Sequence, residues 1–408
     1  MRILFVHDRF PGQFRHLARA LAADPGNEVH FLARVVEDEV PGVTPTLFQP
    51  SRTAHATTHH YVRPLETAVL NGQAAYRAGA ALKRRGFRPD LVYSHAGFGP
   101  GLYLPELFPD ARHAGYFEWF YRGRDSDAAF LVQNRLDENS LCRLKTRNAG
   151  ILLELAAADL AICPTEFQRQ QFPEALRDRL TTLHDGIDTG FFSPGSAAAV
   201  PGLSLPDGAE VVTYATRGME PYRGFPQFMR AARLLQLRRP NLHVVVAGAD
   251  MVAYSRRPAA GGPSYREQML EELPDLDLQR LHFVGQLPLS DYRNLLRLSL
   301  VHVYLTVPFV LSWSLLEAMA TGCAIVASDT APVREVLADR QNGLLADFFS
   351  PEEIAGRVET LLDRPEQRAT LAQEARQTVL DRYDLSDLLP RHLALLTGPA
   401  RPGHAAAA

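Results

Sequence analysis

The sequence predicts an α/β protein made of two doubly wound domains facing one another across a cleft. Three observations carry this. The chain has 408 residues, about twice the usual size of one domain. Two separate series of short apolar runs alternate with helical periodicity, the pattern of a parallel sheet covered on both faces. Between the series, Phe191–Gly208 is dense in Pro, Gly, Ser and Ala, as expected of a linker. The expected domains are residues 1–195 and 205–382. A last helix at about 383–397 would pack back on the first domain, followed by a disordered tail at 398–408.

The first series opens with the apolar run Arg2–Val6, a turn at Pro11-Gly12, and Phe14, Leu17, Ala18 and Leu21 at helical spacing. Glu28–Leu32 restores the strand pattern, Leu65–Arg85 reads as a helix, and Pro89–Tyr93 and His113–Phe117 read as further strands. In the second series, strands are expected over Glu210–Ala215, Leu242–Gly248, Leu281–Gly285, Val301–Thr306 and Ala324–Ser328. Helices are expected over Phe225–Arg238, Asp291–Arg297 and Ser314–Thr321, with Pro351–Tyr383 and Leu385–Leu396 also helical. Ligands of such sheets gather at the C-terminal ends of the strands.

Composition narrows the function. With 46% hydrophobic and 22% charged residues, the chain is neither disordered nor fibrous. Its net charge of −3 gives no positive field to attract nucleic acid. Cys142, Cys163 and Cys323 have neither ligand spacing nor a disulfide framework, which fits a reducing cytoplasm. Met1–Val6 is cut short by His7, Asp8 and Arg9, so it makes no signal core. Leu298–Leu316 lacks Asp, Glu, Lys and Arg, yet its pattern changes at Pro308, which reads as strand, loop and helix start rather than a membrane span. Only two of the 43 basic residues are lysine, Lys83 and Lys145. The second half therefore has no lysine for a Schiff base or a phosphate cradle.

The loops decide the chemistry. The first strand-to-helix turn, His7–Gln13, has the single glycine Gly12, so a nicotinamide cofactor is not expected. No Walker loop is present. Asp125/Asp127, Asp275/Asp277 and the His55–His60 run read as solvated loops rather than metal sites. Arg217-Gly218 through Arg223-Gly224 directly follows the first strand of the second series. Glycines there allow close backbone approach, and two arginines can clamp a diphosphate. Downstream, Ser312-Trp313-Ser314 opens a helix that carries Glu317 among apolar neighbours. A carboxylate there is costly unless it bonds a ligand, and the helix-end amides favour phosphate.

Taken together, these motifs resemble the retaining glycosyltransferases of family 4, with the GT-B fold of two Rossmann-like domains. The resemblance rests on His184–Asp188, Arg217 to Gly224, His282–Gln286, Leu316–Gly322, Val326–Ser328 and Asn342–Leu345, in that order. Asp90–His95 is similar to the family's N-terminal strand that ends in an active-site histidine. The resemblance implies that Arg217 and Arg223 hold the donor's diphosphate, the second being usually a lysine, although their spacing is one residue longer than usual. It implies that Glu317 grips the ribose as the second glutamate of Glu-x7-Glu, and that Gln286 and Leu287 meet the nucleobase. His95 would lie at the reacting centre, and Gly12 and Gln13 would face sugar and acceptor. Phe309 stands where the first glutamate belongs, which implies a less polar sugar site.

The function so implied is metal-independent, retaining transfer of a hexose from a UDP- or GDP-linked sugar to an unidentified acceptor hydroxyl, with no cofactor. Same-face attack would let the leaving diphosphate take the acceptor proton, so stabilising that diphosphate is the main catalytic task. Glu118, between aromatics in Tyr116–Tyr121, orients the acceptor or acts as a base with a raised pKa; pairing with Arg122 or Arg124 is the structural alternative. A nucleotide-sugar epimerase or hydrolase of the same fold is the second reading, and a degenerate nucleotide-sugar-binding protein the third. The lysine-dependent phosphorylases of this fold are excluded. The basic cluster Arg77, Lys83, Arg84, Arg85 and Arg88 raises peripheral contact with the inner leaflet as a further expectation.

Overall fold

A computed structural model describes residues 1–133, 135–259 and 261–398. The chain divides into two compact units, Met1–Asp185 with the stretch from Ser386 onward, and Gly186–Leu385.

The first unit is built on a seven-stranded parallel sheet. Its strands are β1 (Arg2–Val6), β2 (Glu28–Ala33), β3 (Val43–Leu47), β4 (Leu91–His95), β5 (Arg112–Tyr116), β6 (Leu160–Cys163) and β7 (Leu180–Thr182), in the order β3-β2-β1-β4-β5-β6-β7. The covering helices include α1 (Arg15–Ala22), α2 (Arg63–Arg84), α3 (Glu138–Arg147) and α4 (Ala149–Ala157). Residues Ile3–Val6 are buried on both faces, as a central parallel strand requires. Phe5 and Phe14 pack together with Phe31 and Tyr93 beneath the sheet's C-terminal edge.

The second unit repeats the plan with six parallel strands. They are β8 (Glu210–Gly218), β9 (Leu242–Ala249), β10 (Leu281–Gly285), β11 (Val301–Tyr304), β12 (Ala324–Ser328) and β13 (Leu344–Ala346), in the order β10-β9-β8-β11-β12-β13. Its helices include α5 (Phe225–Arg238), α6 (Leu289–Leu298), α7 (Trp313–Thr321), α8 (Pro351–Asp363) and α9 (Pro365–Arg382). The single helical stretch expected over 351–383 breaks at Arg364, because the residue before a proline disfavours helical backbone.

The expected linker is not free. Phe192 and Val200 are buried in cores of the second unit, and Arg297 donates to the Ser193 carbonyl at 2.8 Å. The chain therefore passes between units at Asp185–Gly186, before the Pro/Gly-rich stretch. The last helix, α10 (Leu385–Thr397), places Leu388 and Leu396 in the core formed by Ile3 and Phe5. The Arg112 guanidinium donates to the Leu396 carbonyl at 3.1 Å. The tail expected to be disordered lies outside the described residues except for Gly398. Among the described residues, no helix is long and apolar enough to cross a membrane.

In each sheet the strand order reverses beside the first strand, between β1 and β4 and between β8 and β11. Loops diverge there at the C-terminal edge and leave a crevice for ligands. Both candidate clusters lie at these points.

Candidate functional site

In the first unit, β1 delivers His7 and β4 delivers His95 to the reversal point, because Val6 pairs with Ser94. The two imidazoles meet edge to face, 4.9 Å between centroids. Glu118 follows β5, whose Tyr116 pairs with His95, and its Oε2 lies 3.6 Å from His95 Nε2. Gln13 Nε2 donates to Glu118 Oε1 at 3.3 Å, and Gln168 Nε2 donates to the Glu118 carbonyl at 2.6 Å. Gly12 sits at φ +50°, and a Cβ there would come within 2.7 Å of the His7 ring. Only glycine leaves His7 in place.

The electrostatics differ sharply among these groups. Burial, then the neighbouring His95, pushes His7 down to about 3, so it is neutral at physiological pH. Burial pushes Glu118 up, but His95, His7 and Gln13 outweigh it and hold the carboxyl below its ordinary value. Glu118 is therefore ionised at neutral pH, which corrects the expectation of a base with a raised pKa. Its partners are His95 and Gln13 rather than the nearby arginines; Arg122 donates instead to the Gln170 carbonyl at 3.5 Å. A carboxylate one-quarter exposed, with an imidazole behind it, can orient a hydroxyl and accept its hydrogen bond.

In the second unit the two arginines are not equivalent. Arg217, near the end of β8, is exposed and has no hydrogen bond or ion pair among the described residues. Gly218 is buried, and a Cβ there would stand 2.5 Å from the Met251 carbonyl. Arg223 is buried in the floor. Its Nη1 donates to Thr306 Oγ1 at 2.9 Å, to the Val310 carbonyl at 3.2 Å and to the Tyr304 hydroxyl at 3.4 Å. Its guanidinium also lies 5.3 Å from the Tyr254 ring and 5.9 Å from the Phe309 ring. Phe309 packs 5.8 Å from Tyr222 and 5.1 Å from Tyr254, so an aromatic cluster over a cation occupies the place expected of a carboxylate. Glu220, fully buried, pins this cluster by accepting from the Tyr254 and Ser255 amides at 2.9 and 2.7 Å.

Helix α7 begins beside the end of β11. Ser312 caps it, accepting from the Ser314 amide at 3.3 Å, while the Ser312 amide donates to the Tyr304 hydroxyl at 3.0 Å. Trp313 packs against the unit's core. Glu317, a turn further on, is half-buried; its carboxylate has no hydrogen-bond partner among the described residues and is pushed by burial up to about 7. Gln286 is exposed just beyond β10, and Leu287 packs partly against the Val211 cluster.

Thus the first unit brings together Gly12, Gln13, His95 and Glu118, and the second places Arg223, Ser312 and Glu317 along one sheet edge. Sequence reasoning missed His7 and Gln168 in the first unit, and Glu220, Tyr222 and Tyr254 in the second. His7, the residue directly after β1, was the findable one, because the reversal rule points to it. The acidic and histidine runs bind within the protein. Asp275 pairs with Arg233 and Asp277 with Arg280, both at 2.6 Å, and His60 Nε2 lies 2.9 Å from Asn139 Oδ1. Among the described residues, no group of three or more His, Cys, Asp or Glu could hold a metal ion.

Two all-parallel units of reversing strand order, each with a polar cluster at its reversal edge, define the GT-B fold. Residues 25–192 match the glycosyl transferase family 4 group and residues 201–378 match glycosyl transferases group 1. The chain belongs to this family of glycosyltransferases. It is 26% identical to a D-inositol 3-phosphate glycosyltransferase of Corynebacterium efficiens, over 75% of this chain and 71% of that one. It is also 26% identical to the protein of that name from Thermobispora bispora, over 88% and 82%. Among solved structures, sucrose-phosphate synthase of Thermosynechococcus elongatus superposes with a TM-score of 0.72 at 18% identity, over 97% of this chain and 98% of that one. Anabaena HepE in complex with UDP and glucose gives 0.70 at 16%, over 98% and 100%.

Proposed function

We propose that this protein is a metal-independent, retaining hexosyltransferase that uses a UDP- or GDP-linked donor. The observation that carries the reading is Glu317, an unpaired, half-buried carboxylate at the sheet edge where nucleotides bind in doubly wound folds. Ribose hydroxyls would supply the donors it lacks. Arg217, unpaired and exposed, together with Arg223 and the amides of Ser312–Ser314, would stabilise the diphosphate; Gln286 and Leu287 would border the base. HepE, bound to UDP and glucose, lends support to a uridine donor.

In the reaction, the bond between the sugar's anomeric carbon and the diphosphate breaks. The acceptor oxygen bonds that carbon on the same face, and its proton passes to the departing diphosphate. Glu118, ionised and backed by His95, orients the acceptor hydroxyl, and the cationic diphosphate site lowers the barrier to departure. Stabilising the leaving group asks for no carboxylate nucleophile, consistent with the phenylalanine at 309.

A second observation bears on the acceptor. His60, Arg63, Arg143 and Arg147 line a cavity of about 260 Å³ in the first unit. Arg147 stacks on Tyr121 at 3.9 Å, in the same segment as Glu118. The relatives named after D-inositol 3-phosphate act on a phosphate-bearing acceptor, and this basic cavity favours an anionic acceptor here too.

The test is nucleotide release from UDP-, GDP-, ADP- and dTDP-sugars in EDTA, with and without phosphorylated and neutral polyols, and with anomeric configuration read by proton NMR. Acceptor-dependent release with retained configuration is expected. Release without any acceptor would favour the epimerase or hydrolase reading, and binding without turnover the degenerate one.

A further inference from the structure

His95 is held in an unusual way. It is 3% exposed, and neither ring nitrogen makes a hydrogen bond of ordinary length, Nε2 facing Glu118 Oε2 at 3.6 Å. Its orientation is set by that carboxylate and by the rings around it: His7 at 4.9 Å, Phe98 at 5.3 Å and Tyr116 at 5.3 Å. Two of these are fixed by the strands β1 and β5. Phe98 is not, because it sits in the turn that follows β4. Two buried polar side chains pin that turn. Asn71 of α2 donates to the Phe98 carbonyl at 3.0 Å, and Glu154 of α4 accepts from the Gly97 amide at 2.5 Å.

Glu154 is 7% exposed, a costly place for a carboxyl group. One oxygen binds Gly97; the other, Oε1, makes no well-formed hydrogen bond, lies beside the Gly101 backbone, and faces a small cavity of about 20 Å³, room for one water molecule. Ser94 and Gly101 line that cavity, and a Cβ on Gly101 would come within 2.9 Å of Glu154 Oε1. The titratable groups facing Glu154 are His95 beyond the turn and His113 on the cavity wall. Apolar packing alone would have closed this space, so a retained carboxyl group calls for a purpose.

We propose that Glu154 is the positioning residue of the His95 site, seating Phe98 against the imidazole through Gly97 and adding a proton-dependent charge behind it. Burial pushes the Glu154 carboxyl up to about 7, against the Gly97 bond, the pull of His95 and the Gly101 amide. It therefore changes charge within the working range of pH. Below that range the neutral acid lends no charge to the site; above it the carboxylate tightens the Gly97 bond and places a negative charge behind the turn. No covalent step is involved, only the proton on Glu154. The inference rests on the transferase reading for its kinetic consequence, but not for its structural one.

Two variants of the full chain separate these. Glu154→Gln keeps an oxygen for the Gly97 amide and removes the titration; Glu154→Leu removes both. The Gly97 amide signal, in protein labelled with 15N-glycine, is expected to move with pH through about 7 in the wild type and to stay still in Glu154→Gln. In transfer assays, kcat is expected to fall about 3–10-fold in Glu154→Gln and more than about 30-fold in Glu154→Leu, with donor KM within about twofold. The kcat–pH profile of Glu154→Gln would lose its step near 7. A flat Gly97 signal in the wild type, or a Glu154→Gln enzyme with the wild-type profile, would overturn the proposal even if Glu154→Leu fails to fold. A titrating Gly97 in a protein that transfers nothing would instead count against the transferase reading and leave the Gly97 link standing.

Discussion

Replacing Glu317 by glutamine tests the nucleotide site and its cost to the fold at once. The carboxyl titrates at about 7 in the folded chain against 4.5 when unperturbed, because burial disfavours its charge. The native state thus holds its proton longer than the unfolded chain. Stability falls as pH rises from about 4.5 to about 7 and is level above that. The full gap corresponds to roughly 3 kcal/mol, or about 1–3 kcal/mol after screening by water at the exposed edge. Glu317→Gln removes the charge and nearly conserves the shape, so the unliganded protein should gain that amount at pH 8. Calorimetry should show Tm rising by about 2–8 °C at pH 8, with the gain vanishing below about pH 4.5. The same change removes the carboxylate offered to ribose, costing about 1.5–3 kcal/mol of nucleotide binding, or about 10–100-fold in Kd. In the wild type, nucleotide affinity should rise with pH through about 7 as the site ionises. An unchanged Tm at pH 8 would refute the unpaired burial of the carboxylate, and an unchanged Kd would refute its role toward ribose.

Gly224→Ala should destabilise the second unit by about 1–3 kcal/mol in urea unfolding, because residue 224 sits at φ +65° and its Cβ would meet Leu305 Cβ at 2.5 Å. Since Glu118 is held below its ordinary carboxyl range, kcat/KM should show no Glu118 ionisation above about pH 4.5. Glu118→Gln should lower kcat about 100-fold or more with little change in nucleotide Kd, measured by steady-state kinetics and calorimetry. Arg147→Glu, reversing one charge of the basic cavity, should lower kcat/KM about 10–100-fold for phosphorylated acceptors and far less for neutral ones.

How much of this was legible in the sequence depended on whether a signal was local. Arg2–Val6 and Ala324–Ser328 are central strands buried on both faces, and their apolar runs announce them. Val43–Leu47 is an edge strand with mostly exposed positions and a proline, so nothing in its pattern distinguishes it from a loop. Leu160–Cys163 follows directly on an alanine-rich helix, and Leu180–Thr182 is too short for any periodicity. The site divides the same way. His95 ends its strand and Glu118 closely follows one, so both could be placed, and Glu317 stands out as a charge in an apolar helix. Tyr254 comes from a long loop with no repeat, and it joins Arg223 and Phe309 only because Glu220 binds its amide. Glu118's low pKa was hidden too, because it depends on two imidazoles brought in from other strands.

The aromatic cluster and the buried arginine belong to one design. A glutamate at position 309 would lie about where the Phe309 ring now faces the Arg223 guanidinium, and would neutralise it in a low-dielectric floor. On the proposed function, phenylalanine there leaves the charge on Arg223 for a diphosphate, while the ring still attracts the cation. Without a carboxylate to hold the cation, other groups must fix it, and Arg223 reaches Thr306, Val310 and Tyr304 through Nη1 alone, at the end of a planar head that a lysine lacks. The two departures from the family pattern should therefore be coupled. Arg223→Lys alone should weaken UDP binding and lower Tm, because the shorter side chain draws the charge back from Thr306, Val310 and Tyr304 and loses the guanidinium face beside Tyr254 and Phe309. Phe309→Glu alone should weaken UDP binding by bringing a negative charge to the diphosphate. Together, the new glutamate can hold the new lysine, so the double variant should lose less than the sum, by about 0.5–3 kcal/mol in a double-mutant cycle read by calorimetry. Strict additivity would mean that residues 223 and 309 act separately, and that the aromatic cluster is packing alone.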